Sequence, residues 1–141
     1  MSMLCTVRTL RNHWPRLWLH VRCGLQPEQP ARIWQYLACG NKLARLGAID
    51  EITVQSRMLN TLLQVARDEE LPWFWRSVCL EHVTHPLARL CSLVGTHDPL
   101  AREAIEAAVQ SCRDALPPPP RQPAGASAAG RDRHDRGSRT R

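Results

Sequence analysis

The sequence predicts an all-α fold, a single small bundle of about five helices, and three observations carry that expectation. No segment alternates apolar and polar residues with the period of two that strands require. Apolar residues instead recur at spacings of three and four, most regularly through Met58, Leu59, Leu62, Leu63, Val65 and Ala66. The runs are separated at Gly24, Gly47, Pro72, Gly95 and Asp98-Pro99, residue types that start or stop helices.

Taken in order, segment one spans Thr9 to Cys23. Pro15 either kinks it or marks a fresh start, and Gly24 closes it. Trp14 and Trp18, at i and i+4, share one face and are expected in the core. Segment two begins at Pro30 and offers Ile33, Trp34, Leu37, Ala38 and Ala44 before Gly47; Gly40 and Asn41 in its middle leave open whether it is one helix or two. Asp50 caps segment three, which runs to Arg67. Segment four opens with Pro72 at its first position, and Pro86 ends or bends it near His85 before Leu87, Leu90, Cys91 and Val94 continue the apolar face. Segment five has Asp98 as cap, Pro99 at its first position, and Leu100, Ile105, Ala108, Val109, Cys112 and Leu116 on a broad face. Pro117 to Pro120 stop it. The expected organisation is a flexible N-terminus over residues 1–8, a helical domain over 9–116, and a Pro/Arg-rich tail over 117–141 that lacks the large apolar side chains needed to offset the entropy of ordering.

Charge is distributed unevenly. Residues 1–27 hold four arginines and no acid, residues 28–116 nine basic and eleven acidic residues, and residues 117–141 six arginines and two aspartates. Basic ends attract phosphates or anionic lipid, but eighteen arginines against the single lysine Lys42 fit a GC-rich genome equally well. The acid-free start is read as an ordinary basic first helix in preference to a mitochondrial presequence. Its apolar run is interrupted by Arg8, Arg11, Arg16, His20 and Arg22, which leaves neither a signal-peptide core nor a membrane span. The six cysteines are widely spaced, with no C-x-x-C pair, so a soluble, reducing, cytoplasmic setting is expected.

Leu71-Pro72-Trp73-Phe74-Trp75-Arg76 gathers three of the chain's seven aromatic residues into consecutive positions. Trp73 and Trp75 project about 160° apart on a helix, so they cannot enter the same core layer. Trp75 shares a stripe with Val78, Cys79, His82 and Pro86 and reads as core; Trp73 lies on the other side. A cysteine three residues before a histidine places Cys79 and His82 on one side of a helix, an arrangement that zinc or haem iron can use, although no further ligands stand at diagnostic spacing. The ordinary reading is a packed core cysteine beside a hydrogen-bonded histidine. GxxxxGK[ST], GxGxxG, HExxH and GxSxG motifs are absent, and catalysis by recognised machinery is unsupported. In the tail, Arg131 to Arg141 carry arginines that can meet phosphates, but Asp132 and Asp135 interleave them and disfavour nucleic acid as the partner.

Arg22-Cys23-Gly24-Leu25 with Pro27-Glu28, then Trp34-x-x-Leu37-Ala38, and above all Leu71-Pro72-Trp73-x-Trp75-Arg76-x-x-Cys79-Leu80 with Pro86-Leu87, resemble the FagA family of small proteobacterial proteins, over roughly residues 12–95. The resemblance implies a helical protein encoded beside iron-independent fumarase and manganese superoxide dismutase, induced by iron starvation, and a cytoplasmic accessory role without a reaction of its own. His82 and His85 depart from the family pattern, which weakens a metal site there. The functional expectation is a non-enzymatic accessory protein without a cofactor, acting by protein–protein contact in iron limitation or oxidative stress, with Trp73 and Arg76 at the contact surface. The alternatives are a metal or haem handler using Cys79 and His82, and a nucleic-acid-binding regulator using the basic ends. Neither the partner's identity nor an oligomeric state follows from these residues.

Overall fold

In the computed structural model, which describes residues 3–95 and 97–120, every regular element is an α-helix: α1 (Met3–Cys23), α2 (Ala31–Arg45), α3 (Glu51–Arg67), α4 (Trp73–Glu81), α5 (Thr84–Val94) and α6 (Pro99–Ala115). The expected bundle of about five helices becomes six because segment four is two elements. Residues 121–141, most of the tail for which the sequence predicts disorder, lie outside the described residues.

Helix α3 is the axis of the molecule. Val54, Met58, Leu62 and Val65 are fully buried on it, and Leu59, Thr61, Leu63 and Ala66 nearly so. Side chains so placed surround most of a helix, as in an element packed on several sides. Accordingly α1, α2, α4, α5 and α6 all contact α3. One continuous core results, built by Trp14, Leu17 and Val21 of α1, Ile33, Tyr36, Leu37 and Leu43 of α2, Trp75 and Cys79 of α4, Leu90 of α5, and Val109 and Cys112 of α6.

Local chemistry sets most of the boundaries. Asp50 accepts a hydrogen bond from the Thr53 N–H (3.3 Å), and Asp98 accepts one from the Ala101 N–H (3.1 Å), so both caps stand where the sequence places them. Gly47 ends α2 at φ +72°, with its own N–H on the Ala44 carbonyl and that of Ala48 on the Leu43 carbonyl. This is the paired-bond termination that a left-handed residue permits.

Several expectations are corrected. Helix α1 begins at Met3, six residues before Thr9, so residues 3–8 of the expected flexible N-terminus are helical. Pro15 lies inside this one helix and marks no fresh start. Pro15 and Arg11 both lie on the exposed side, where water can satisfy the Arg11 carbonyl that proline leaves without a bond. Trp18 is 40 % exposed, because the buried stripe of α1 runs through Trp14, Leu17 and Val21 and leaves Trp18 at its edge.

Segment two is one helix, and Gly40 is the reason it packs closely rather than a break. A Cβ built there would stand 2.6 Å from Met58 Sδ and 3.0 Å from the Trp14 ring, so only glycine lets α2 approach α1 and α3 this nearly. Trp34, expected on the apolar face, is 63 % exposed, while Tyr36 is buried in its stead.

Pro72 is the N-cap of α4 rather than its first residue; its carbonyl accepts the first helical bond, from the Arg76 N–H. The break in segment four falls at His82 and Val83, earlier than His85. Pro86 thereby sits in the first turn of α5, where a missing N–H costs nothing. Leu100 is 77 % exposed and takes no part in the face of α6 that buries Val109 and Cys112.

Candidate functional site

The aromatic segment at the head of α4 holds three other helices by their C-terminal ends. Trp75 is completely buried and donates its indole N–H to the Val21 carbonyl in the last turn of α1, at 2.8 Å. Arg76 donates Nε–H to the Ala66 carbonyl in the last turn of α3, at 3.0 Å. Trp73 donates its indole N–H to the Pro117 carbonyl, just beyond α6, at 2.7 Å. The final carbonyls of a helix have no intrahelical partner and carry partial negative charge. Trp75 satisfies one of these neutrally, and Arg76 adds a full positive charge at the end of α3. The Arg22–Asp68 ion pair (2.8 Å) ties α1 to the C-cap of α3 nearby, and that contact holds the Asp68 carboxyl below its usual range.

This arrangement places the two residues expected at a contact surface. Arg76 is largely buried, and its Nε–H is committed to the Ala66 carbonyl, so little of it is left to meet a partner. Trp73 is half-buried and fastened to the chain end following α6. The exposed aromatic residue of the segment is Phe74, at 54 %, and the Ser77 hydroxyl donates to the Phe74 carbonyl at 2.8 Å. Leu25 is exposed as well, and it follows Gly24, whose Cα faces Leu71 and Trp75 at the same end of the bundle.

Cys79 and His82 lie in different surroundings. Cys79 is fully buried, and burial pushes its thiol up to about 12. Metal ligation requires the thiolate, which this apolar setting opposes. His82 is half-buried, and with the exposed His85 it faces a groove rather than the core. Among the described residues no group of three or more His, Cys, Asp or Glu side chains is placed to hold a metal ion. No helix among them is long and apolar enough to cross a membrane.

That groove, of about 670 Å³, lies between α2, α3 and the α4–α5 turn. Trp34 and Arg45 come from α2, Gln55 from α3, and His82, His85 and Arg89 from the turn and α5. Arg89 is paired with Glu51 of the same wall. Asn41 and Gln55 join across α2 and α3, the Gln55 Nε2–H donating to Asn41 Oδ1 at 2.8 Å. Gln55 is only 2 % exposed, and its Oε1 has no hydrogen-bond partner. Buried carbonyl oxygens are nearly always bonded, so this one stands out. The sequence does not single Gln55 out, since Ser56 and Arg57 stand with it between Val54 and Met58.

A second cleft, apolar at its base, is formed where Trp14, Pro15 and Trp18 of α1 face Tyr36, Asn60 and Thr61. Trp14 and Tyr36 stack at 5.7 Å between ring centroids, and the Tyr36 hydroxyl bonds to Thr61 at 3.1 Å. Burial raises that phenol to about 12. Comparison with protein-family models, with curated proteins and with solved structures gave no match for the chain.

Proposed function

We propose that this chain is a non-enzymatic, cytoplasmic, helical accessory protein that acts by binding another protein, in the iron-limitation or oxidative-stress setting that its resemblance to the FagA family implies. The supporting observation is the exposure of Phe74 at 54 % beside a half-buried Trp73, on an α4 whose other large side chains are taken up by the fold. An exposed aromatic ring on a rigidly anchored helix end loses little conformational freedom on binding, which is what a binding anchor requires. Phe74 replaces Arg76 as the residue through which the contact is made, and Leu25 adds apolar area at the same end of the bundle.

The test is a comparative pull-down from iron-starved and iron-replete cells with the full chain and its Phe74→Ala variant as baits. The expected result is a specific protein retained by the parent chain from starved cells and lost with Phe74→Ala, while the variant keeps its helical signal and melting midpoint. Equal retention by both baits would remove Phe74 from the contact, and no retained protein would remove the reading itself.

A further inference from the structure

We infer that the cleft between α1 and α3, over Tyr36, receives the tetraproline Pro117–Pro120 of a second copy of this chain. The first support is the set of donors at its mouth. Trp18 is 40 % exposed there, and its indole N–H has no partner among the described residues, whereas that of Trp14 is taken by the Tyr36 carbonyl at 3.2 Å. From α3 come Arg57, Asn60 and Gln64, which are exposed on one helix face with their side-chain N–H groups unpartnered among the described residues. The hydroxyls below are already committed. Thr61 donates to the Arg57 carbonyl at 2.8 Å, which leaves the Tyr36 O–H to donate to Thr61 Oγ1. No carboxylate lines the cleft. Its complement is a ligand with flat apolar sides that supplies hydrogen-bond acceptors and has no donor to satisfy.

A run of prolines has that chemistry. Proline carries a carbonyl but no N–H, and each residue that precedes a proline is kept out of the helical region, so Pro117–Pro120 are held in the polyproline II form. Leu116 leads into it at φ −67° and ψ 121°. All four prolines are exposed. Aromatic-lined grooves are the usual receptors of such segments, because the preformed helix loses little freedom on docking.

The molecule makes this pairing once already, since Trp73 donates its indole N–H to the Pro117 carbonyl at 2.7 Å. Trp18 offers the same donor to the prolines that follow. The lengths agree: four residues of polyproline II span about 12 Å, and α3 advances about 10 Å from Arg57 to Gln64. The occupant comes from a second copy because the chain's own tetraproline is fastened at Trp73 and stands in solvent. Two copies that exchange these segments close a twofold dimer. This inference is independent of the contact through Phe74.

A capped peptide of residues 115–121, titrated into the dilute full chain, tests it. The Trp18 indole N–H resonance, assigned from its disappearance in Trp18→Phe, should shift with Kd below about 1 mM. The same peptide with alanine at its four proline positions should leave that resonance in place. By calorimetry, Trp18→Phe should bind the proline peptide about fivefold more weakly, the worth of one hydrogen bond, at an unchanged melting midpoint. Without peptide, the Trp18 resonance of the full chain should move with protein concentration, and the combined changes Pro118→Ala, Pro119→Ala and Pro120→Ala, all in exposed coil, should abolish that dependence. A Trp18 resonance indifferent to the proline peptide, or equal binding of the alanine peptide, would overturn the assignment. A shift independent of protein concentration would place the tetraproline in its own cleft and overturn the second copy.

Discussion

Tryptophan and arginine at the head of α4 act on the fold through single N–H groups, and each can be separated from its bulk. Trp75→Ala removes a fully buried ring together with its bond to Val21, and the cavity left should cost about 3–5 kcal/mol. Trp73→Phe keeps most of the ring area and deletes only the N–H that reaches Pro117, so its cost should be about 0.5–1.5 kcal/mol. Denaturant unfolding followed by circular dichroism gives both values. Comparable large losses from the two changes would mean that the Trp73 ring is as deeply packed as that of Trp75. Spacing along the helix already set the two tryptophans on opposite sides and made Trp75 the core residue. It could not show that Arg76 turns inward, because the attraction lies in the C-terminal carbonyls of α3, ten residues away in sequence. Arginine with its charge on a helix end and its stem along apolar surface looks, in a sequence, the same as arginine in solvent.

Helix boundaries were legible where the signal is local and illegible where it is tertiary. Asp50, Asp98, Gly24 and Gly47 each act on their own backbone neighbours, and each stands where the sequence places it. Pro86 misleads because a proline is tolerated in the first turn of a new helix as readily as it breaks an old one. Gly40 misleads more instructively: its weak helix propensity argues for a break, whereas the packing of α2 against Trp14 and Met58 demands it. Gly40→Ala should therefore destabilise the protein by about 1–3 kcal/mol through overpacking, even though alanine is favoured over glycine by roughly 1 kcal/mol within an isolated helix. A raised melting midpoint in that variant would show that Met58 and Trp14 can withdraw, and that α2 does not depend on the close approach. The groove was illegible for the same reason. Trp34, Asn41, Gln55 and His82 come from three stretches of chain that only the packing of α2, α3 and the α4–α5 turn brings to one wall.

At the scale of the whole molecule, the core holds ionisable groups in their neutral form, which gives its stability a direction in pH. Burial raises the Cys79 thiol and the Tyr36 phenol to about 12 each, and raises Cys39 and Cys91 as well. In the unfolded chain a thiol titrates near about 8.5 and a phenol near about 10. Groups with raised folded values contribute their full stabilisation below the unfolded value and lose it as pH climbs towards the folded one. The ion pairs work in the other direction. Arg89 and Arg22 hold the Glu51 and Asp68 carboxyls low, so their contribution is present above ordinary carboxylate values and disappears in acid. Stability should accordingly hold from about pH 5 to 8 and fall on the order of 2 kcal/mol or more by about pH 11, most of it through Cys79 and Tyr36. Denaturant midpoints measured across that range for the parent chain and Cys79→Ala provide the check. The variant should begin lower at pH 8, because a buried group has been removed, yet decline less steeply above about pH 9, with the remaining slope carried by Tyr36, Cys39 and Cys91. Parallel curves would mean that the Cys79 thiol meets water in solution, and α4 would then have to sit less tightly against α1 and α3 than the Trp75 and Arg76 bonds require.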